Sequence, residues 1–511
     1  MGKRRKRNLM KKLHKWPSLL IAVFIILWAA SGVVLNHRHL VSSLDLDRTY
    51  LPSEHRYDNW NNAALRGSIC IDSNLSWFFG NTGVWEFDIR DTSWKDLRKG
   101  FPAGADHHKV NCLLKTEEGE YFCGTRFGLY KFVPGDQAWK GLCIPHDDRH
   151  VVDLAQSRDS LWIMTRSHLW KMPLKGIPEF EYAPILPPLG YDNKVGLFKT
   201  LWVIHSGEIY GVAGKLLVDF VALVFVFLTI SGLIYFFFPR MMRRRKRHAK
   251  PTNRLAAWNK FSIKWHNKIG IWLVLILTMT IFTGMFLRPP LLIVIATDRV
   301  GKIPYSVLDD GYPWYDLLRR ILIDEKHNNV YLATSEGIFR MEQSLKTRPE
   351  FVFPQPPASV MGYNVFDYHP NGNILVGSFS GLYQWEPEGA LILDHYTQMP
   401  YARPSGLANP ISANMTSGYH IDKWGREYVF DYNSGVLPLG HSEKFPDMPL
   451  VISSARIPLW NVALEMHTAR LFKPLIGDFY ILFIPLYGLS ALLIMISGTV
   501  LWIRKYRKKR K

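Results

Sequence analysis

Two histidines in the sequence carry the same surroundings although they lie far apart in the chain. A shift of 252 residues places His14 on His266, and it also places the small-residue pair ending in Gly32 on the pair ending in Gly284. Both histidines precede an apolar stretch, and hydrophobicity alone does not require a shared register. The match therefore makes His14 and His266 candidates for a common chemical role.

A second pair of histidines follows a similar rule. His205 and His467 each precede an apolar run that ends in a Ser-Gly pair, at Gly232 and Gly498. The spacing from histidine to glycine is 27 residues in one copy and 31 in the other. The difference is close to one helical turn of about 3.6 residues, which keeps a histidine on the same helix face.

Paired imidazoles near a membrane suit the axial positions of a b-type haem, whose iron takes two histidine ligands across a helix bundle. An ionisable residue in or near a membrane helix is a functional hypothesis by default. No Cys-x-x-Cys-His occurs, so covalently attached haem is excluded. Zinc is a poorer interpretation, since no cysteine or carboxylate shares the histidine spacing. We therefore predict two haem b groups held by the residues His14, His205, His266 and His467.

Two further features near these histidines admit more than one role. His37 is a reserve ligand, although its counterpart in the repeat is Pro289. The favoured interpretation of the Ser/Thr-Gly pairs is close helix packing, because small residues let helix backbones approach. The alternative is that Gly32, Gly232, Gly284 and Gly498 make room near a flat cofactor.

The apolar stretches predict four membrane helices, each near or above the ~20 residues that span a bilayer core. We place them at residues 17–36, 206–238, 269–288 and 468–503. The net charge of +20 is concentrated in basic clusters beside these helices, in segments 1–16, 239–268 and 504–511. Such clusters mark cytoplasmic flanks and argue against nucleic-acid binding. Both termini are therefore expected in the cytoplasm of a multi-pass, bacterial inner-membrane protein, with segments 37–205 and 289–467 in the periplasm.

The two periplasmic segments show short alternating runs that end in turn residues, which is typical of β-strands. A strand–turn–strand unit recurs three times in each segment, with steps of 40 to 54 residues. The turn residues are Gly83, Gly128, His168, Gly337, Gly381 and Gly435. This period fits a propeller blade, and the repeats resemble those in sensor regions of two-component regulators. The predicted fold is a duplicated four-helix transmembrane bundle plus an all-β, propeller-like domain of about six blades; the alternative is two separate β-rich lobes.

All four cysteines lie in the first periplasmic segment: Cys70, Cys112, Cys123 and Cys143. An oxidising compartment permits disulfides there. Three pairings are possible, and the turn at residues 117–119 favours Cys112 with Cys123. The alternative is that all four are free thiols that pack as small hydrophobic residues.

At the membrane segments the chain resembles the PepSY-associated transmembrane family. The resemblance rests on Leu-His-x-Trp at 13–16, Trp-His-x-x-x-Gly at 265–270, His-x-Gly-x-x-x-Gly at 205–211 and the Ser/Thr-Gly pairs. It implies a four-helix inner-membrane fold, with His14, His205, His266 and His467 as haem ligands. The family includes haem-containing reductases that act on periplasmic ferric-siderophore complexes in iron uptake. No clear PepSY module occurs in either periplasmic segment, where propeller-like repeats stand instead.

The resulting hypothesis is an electron-transfer oxidoreductase that reduces a periplasmic ferric complex. No segment is long enough for a cytoplasmic flavin or nicotinamide domain, so the expected donor is a membrane quinol or a separate protein. Expected partners are membrane lipid and the ferric complex or its binding protein. A sensor or adaptor whose propeller binds a ligand is the second hypothesis, and a structural or inhibitory membrane protein without cofactor is the third.

Overall fold

The chain forms two compact units, each assembled from separate segments of the sequence. The computed structural model describes residues 3–309, 311–357, 359, 362–402 and 414–507. The helical unit comprises residues 1–41, 193–311 and 459–511, and the β-rich unit comprises residues 42–192 and 312–458. Both long predicted periplasmic segments therefore contribute to one β-rich unit.

The α-helices of the described residues belong mainly to the helical unit. They are α1 (Lys3–Asn36), α2 (Arg38–Val41), α3 (Leu197–Ser206), α4 (Gly211–Arg247), α5 (Asn253–Trp272), α6 (Val274–Met285), α7 (Leu291–Ile295), α8 (Leu450–Ser453), α9 (Leu459–His467), α10 (Lys473–Ile476) and α11 (Tyr480–Arg507). Of these, α8 alone lies in the β-rich unit. Helix α1 packs against α4, α9 and α11, while α6 packs against α3 and α11.

Three helical stretches are long and apolar enough to cross a membrane by length and composition. They are Asn8–Asn36, Glu208–Arg247 and Arg470–Lys505. The helices extend past the predicted apolar spans because the flanking lysines and arginines are themselves good helix formers.

The predicted third span at 269–288 differs from the structure. Helix α5 begins well before it, at Asn253, and meets α6 at Leu273 with a bend of 70°. Gly270 lies in the last turn of α5, where glycine lowers helix propensity. The four predicted spans thus correspond to the three helical stretches and to one bent pair, which could make a fourth crossing if it forms a single span.

The β-rich unit contains six small antiparallel sheets that follow one another along the chain. Sheet 1 is β2 (Gly67–Cys70), β3 (Leu75–Gly80), β4 (Gly83–Asp88) and β5 (Ser93–Asp96); sheet 2 is β6 (Val110–Lys115), β7 (Tyr121–Thr125), β8 (Gly128–Val133) and β9 (Ala138–Leu142); sheet 3 is β10 (Val151–Ser157), β11 (Ser160–Thr165), β12 (Leu169–Pro173) and β13 (Glu181–Tyr182). Sheet 4 is β16 (Leu318–Asp324), β17 (Asn329–Thr334), β18 (Gly337–Glu342) and β19 (Glu350–Phe351); sheet 5 is β20 (Val365–Tyr368), β21 (Ile374–Ser378), β22 (Gly381–Glu386) and β23 (Leu391–Asp394); sheet 6 is β24 (Thr416–Ile421), β25 (Glu427–Asp431) and β26 (Gly435–Leu439).

Two short strand pairs complete the described β-structure. In the β-rich unit, β1 (Asp45–Leu46) pairs with β27 (Ile457–Pro458), which joins the start of this unit to its end. In the helical unit, β14 (Lys194–Gly196) pairs with β15 (Arg299–Gly301).

The six predicted turn residues all lie where the second and third strands of a sheet meet. Five are glycines with φ between +84° and +153°, a region that side chains with a Cβ disfavour. At the sixth, His168, the carbonyl oxygen accepts a hydrogen bond from the Thr165 hydroxyl at 3.1 Å. The strand–turn–strand prediction is confirmed at every repeat.

Hydrophobic clusters, most of them rich in aromatic residues, fill the spaces between neighbouring sheets. One cluster lies between each consecutive pair of sheets, and another joins sheet 6 back to sheet 1 through Phe78, Trp85, Tyr428 and Phe430. Each sheet therefore buries both faces, as the blades of a propeller do.

The favoured cysteine pairing is wrong. All four cysteines are free, with Cys70 and Cys143 exposed and Cys112 and Cys123 buried. In the β6–β7 hairpin Cys112 lies opposite Gly124, while Cys123 lies opposite Leu113. Neighbouring positions of a strand point to opposite faces, and the two thiols accordingly pack into different clusters.

Candidate functional site

The first histidine pair consists of His14 in α1 and His266 in α5. Their ring centroids lie 6.2 Å apart, and the ring planes are nearly perpendicular at 86°. His14 and His266 are the residues that the 252-residue shift matches to each other, so the sequence repeat becomes a contact in the helical unit.

The second histidine pair consists of His205, near the end of α3, and His467, the last residue of α9. Their ring centroids lie 6.1 Å apart with an interplanar angle of 58°. The pairing predicted from the sequence, His14 with His266 and His205 with His467, is thus the pairing by proximity.

The first pair is held by two neighbouring helices through the Nδ1 atoms. His14 Nδ1 lies 3.0 Å from the carbonyl oxygen of Ile494 and 3.4 Å from the hydroxyl of Ser497. His266 Nδ1 lies 3.1 Å from the Leu228 carbonyl oxygen and 2.9 Å from the Ser231 hydroxyl.

The second pair is held in the same way. His467 Nδ1 lies 3.1 Å from both the Trp28 carbonyl oxygen and the Ser31 hydroxyl. His205 Nδ1 lies 3.0 Å from the Thr280 carbonyl oxygen and 3.3 Å from the Thr283 hydroxyl. In all four cases the hydroxyl belongs to the Ser/Thr-Gly pair, and the carbonyl belongs to the residue three positions earlier.

These contacts determine which nitrogen of each ring carries the proton. A carbonyl oxygen can only accept a hydrogen bond, so Nδ1 must donate. Each hydroxyl also lies within donating distance of the same carbonyl that the imidazole uses, at 3.0 to 3.2 Å, which leaves the hydroxyl oxygen to accept from Nδ1. A neutral imidazole with its proton on Nδ1 keeps a free lone pair on Nε2, the form that ligates a metal.

The glycine that follows each hydroxyl lies against the imidazole. A Cβ built on Gly284 would lie 2.6 Å from Cε1 of His205, and one on Gly498 would lie 2.9 Å from Cε1 of His14. The corresponding distances are 3.4 Å at Gly32, facing His467, and 3.7 Å at Gly232. The four glycines therefore let the histidine rings approach the neighbouring helix, most tightly at Gly284.

The reserve ligand His37 has a different neighbour. Its Nε2 lies 2.5 Å from the Oδ2 atom of Asp219 in α4. The side-chain amide of Asn36 donates to the other carboxylate oxygen at 3.1 Å. The His37 imidazole and the Asp219 carboxylate are therefore placed as an ion pair, which links α4 to the end of α1.

Sequence reasoning missed the residues that hold the imidazoles. These are the hydroxyls of Ser31, Ser231, Thr283 and Ser497 and the carbonyls of Trp28, Leu228, Thr280 and Ile494. The signal was present as the repeated Ser/Thr-Gly pair, which we interpreted as helix packing. Its constant register with the histidines could have indicated a shared contact.

The two pairs lie at different levels of the helical unit. Helix α1 contributes His14 to the first pair and Ser31 to the second, and 17 residues of helix rise about 25 Å at 1.5 Å per residue. Paired histidines thus lie at two levels of a duplicated set of apolar helices. The family model of the PepSY-associated TM region matches the sequence at residues 1–237 and, a second time, at residues 187–505.

The chain belongs to the PepSY-associated TM region family. It is a membrane protein with apolar helices and a large soluble unit, and the two matches of one family model agree with the internal repeat of its helices. No curated protein sequence matches this PepSY-associated protein significantly.

Solved structures match the chain at low sequence identity. The extracellular domain of the hybrid two-component system BT4673 from B. thetaiotaomicron has a TM-score of 0.34 at 12% identity, covering 76% of this chain and 40% of that one. The WD40 β-propeller domain of Doa1 has a TM-score of 0.31 at 10% identity, covering 75% of this chain and 95% of that one. The chain thus spans less than half the length of the first structure.

Proposed function

We propose that this PepSY-associated protein binds two b-type haems and carries electrons through the membrane to a ferric complex outside the cytoplasm. One haem would lie between His14 and His266, and the other between His205 and His467. When bound, such haems supply one-electron redox chemistry, and two histidine ligands leave the iron no open position for oxygen.

The observation that supports this proposal most directly is the geometry of the two histidine pairs. An iron held by two imidazoles at about 2 Å each, the usual length of a metal–histidine bond, requires ring centres roughly 6 Å apart. The observed centroid separations of 6.2 and 6.1 Å fit this requirement. The fixed protonation at Nδ1 also leaves Nε2 as the ligating atom on every ring.

The role of the protein residues is to hold the imidazoles before and during electron transfer. Each Nδ1–H is fixed by a carbonyl and a hydroxyl, which prevents ring rotation and raises the basicity of the ligating nitrogen. Electron transfer between the two levels would have to cover the ~25 Å rise along α1. Aromatic side chains of α1 and α11 occupy part of that interval, with Phe24 and Tyr487 at 5.0 Å between ring centroids.

We also propose that the six sheets are the blades of one propeller, assembled from residues 42–192 and 312–458. The closing contact between sheets 6 and 1 supports this arrangement. In the proposed function the propeller recognises the ferric complex or a protein that delivers it. In this proposal the protein lies in the inner bacterial membrane with both termini in the cytoplasm. Its electron donor is a quinol or a separate protein.

The test is a reduced-minus-oxidised visible spectrum of the full chain purified in detergent. We expect a bis-histidine haem b signal with two haems per chain. His14→Ala and His266→Ala should each remove the same half of the signal, and their combination should remove no more than that half. His205→Ala and His467→Ala should remove the other half.

One control and two contrary outcomes complete the test. His37→Ala should retain both haems, because its imidazole lies on Asp219. A wild-type protein without haem would overturn the proposal and would favour the sensor hypothesis instead. Loss of haem from none of the four histidine variants would overturn the assignment of the ligands.

A further inference from the structure

Three ligand-type side chains from neighbouring sheets of the β-rich unit meet at one place. His369 lies in the loop between β20 and β21, His395 directly follows β23, and Glu427 is the first residue of β25. His369 Nε2 lies 3.1 Å from one Glu427 oxygen, and His395 Nε2 lies 2.5 Å from the other. One ligand atom from each residue lies within 4.8 Å of the other two.

The cluster is largely buried. His395 is only 1% exposed. The phenol of Tyr419 lies beside the same carboxylate, and its hydroxyl is buried without a hydrogen bond of good geometry. The Glu427 carboxylate therefore faces two imidazole nitrogens and a further polar atom.

We propose that His369, His395 and Glu427 form a site for a divalent first-row transition metal ion, and that its ion is the Fe²⁺ produced by reduction of the ferric complex. Two histidines and one carboxylate are the ligand set of non-haem Fe²⁺ sites and of zinc sites with an open position. The choice of Fe²⁺ rests on the proposed function, whereas the presence of a metal site does not.

The transfer requires one electron and one exchange of ligands. An electron from the quinol or protein donor, carried by the proposed haems, reduces one Fe³⁺ of the complex to Fe²⁺, and the ion then exchanges donor atoms of its carrier for two imidazole nitrogens and a carboxylate oxygen. Zn²⁺ and Cu²⁺ bind such ligand sets more tightly than Fe²⁺. Fe²⁺ would therefore occupy the site through local supply rather than through intrinsic preference.

The hydrogen bonds around the cluster compete with a bound metal ion. Gln384 Nε2 donates to His395 Nδ1 at 2.8 Å, so His395 carries its proton on Nε2 and donates it to Glu427. The Gln384 amide is oriented by Asn371, which donates to its oxygen at 2.8 Å. A metal at Nε2 must displace this proton and turn the Gln384 amide. We expect a site of transit that loads and unloads, rather than a permanent structural site.

The test titrates the purified full chain anaerobically with Fe²⁺ and, separately, with Co²⁺ as a visible-spectrum probe. We expect one ion of either metal per chain, and at least tenfold weaker binding in His369→Ala and in Glu427→Gln. His327→Ala is the matched control, since its imidazole is 49% exposed and pairs with Asp324 alone at 2.7 Å; it should bind like the wild type. Circular dichroism melting of each variant shows whether the fold is retained.

The outcomes separate this inference from the haem proposal. Folded variants that bind both ions as the wild type does, or a wild type that binds neither, would overturn the metal site even if both haems are present. If the wild-type chain binds one metal ion but contains no haem, the metal site stands. The assignment of its ion as Fe²⁺ produced by reduction is then overturned. We expect His369→Ala to keep the full haem spectrum, because its residue lies in the β-rich unit.

Discussion

Each of the four paired histidines meets the same three groups of a neighbouring helix: a carbonyl oxygen, a hydroxyl and a glycine. The carbonyl and the hydroxyl fix the Nδ1 proton, and the glycine admits the ring. This repeated contact gives the Ser/Thr-Gly pair a physical role that helix packing alone would not require. The four copies differ mainly in how closely the glycine approaches the ring, and this difference can be tested.

Alanine at the tightest glycine should displace its histidine, whereas alanine at the loosest should not. In Gly284→Ala the added carbon would lie 2.6 Å from the His205 ring, closer than any ordinary contact, while in Gly232→Ala it would lie 3.7 Å from the His266 ring. We expect Gly284→Ala to lose about half of the haem absorbance and Gly232→Ala to keep it all. Equal spectra from both variants would contradict this role of the glycine.

His420 in sheet 6 should make the stability of the β-rich unit depend on pH. Burial lowers its pKa from 6.5 to about 4, and its Nδ1 lies 2.6 Å from the Ser68 hydroxyl. Because the fold favours the neutral imidazole, its contribution is complete above pH 6.5 and falls as the pH drops toward 4, by about 3 kcal/mol.

Unfolding of the full chain between pH 7 and pH 4, followed by tryptophan fluorescence, measures this contribution. His420→Phe should flatten the decrease in stability with falling pH, although it loses the Ser68 hydrogen bond at every pH. An unaltered slope in His420→Phe would show that other groups titrate in this range.

At the scale of elements, the turn between α3 and α4 places the second histidine pair. Gly207 ends α3 in the left-handed conformation at φ 78°. A Cβ there would lie 2.2 Å from the Gly214 carbonyl oxygen, so the turn tolerates neither the conformation nor the volume of a side chain. His205 lies two residues before this turn.

Gly207→Ala should therefore remove the haem of the second pair and leave the haem of the first. Gly196→Ala, at the other end of α3, is a matched control because Gly196 has φ −58° and no atom within 4 Å of an added carbon. We expect half of the haem signal from Gly207→Ala and all of it from Gly196→Ala. A full signal in both would show that the turn does not position His205.

The burial of Cys112 and Cys123 in the β6–β7 hairpin predicts which cysteines react with a thiol reagent. Cys70 and Cys143 are exposed, whereas burial raises the pKa of the Cys112 thiol and suppresses its thiolate, the reactive form. Maleimide labelling of the native chain should add two labels, and labelling in denaturant should add four. If Cys112 and Cys123 stayed unlabelled in denaturant and reacted only after reductant was added, a disulfide would join them.

At the scale of the whole molecule, an ion pair joins the two sequence segments of the β-rich unit. Arg320 of sheet 4 donates through Nη1 to Asp153 of sheet 3 at 2.9 Å, and both side chains are about nine-tenths buried. The backbone N–H of Ile321 donates to the other carboxylate oxygen at 2.9 Å. Removing the guanidinium would leave a buried carboxylate without its counter-ion.

Arg320→Met should lower the free energy of unfolding by about 3–5 kcal/mol, the usual cost of breaking a buried pair. Arg340→Met is the control, since Arg340 pairs with Glu388 at the surface and its loss should cost less than about 1 kcal/mol. Denaturant unfolding of both variants measures the difference. Equal stabilities would mean that water reaches Asp153.

Periodicity was sufficient to predict the repeats, but not the contacts that depend on the third dimension. The 252-residue shift predicted the first histidine pair, the similar placing of His205 and His467 before Ser-Gly pairs predicted the second, and the recurring turns predicted all six hairpins. The bend at Leu273 has no proline or other strong sequence signal. The cluster of His369, His395 and Glu427 has no motif, because its members come from loops and strands of two sheets.

The division of the β-rich unit between residues 42–192 and 312–458 has a consequence during protein synthesis. About 120 residues of the helical unit are translated between the two segments, which takes roughly 6–24 s at 5–20 residues per second. Throughout that interval sheet 3 lacks sheet 4, and sheet 1 lacks sheet 6, so two aromatic faces await partners not yet made. A nascent chain interrupted in this interval would expose both faces and become a substrate for chaperones or proteases.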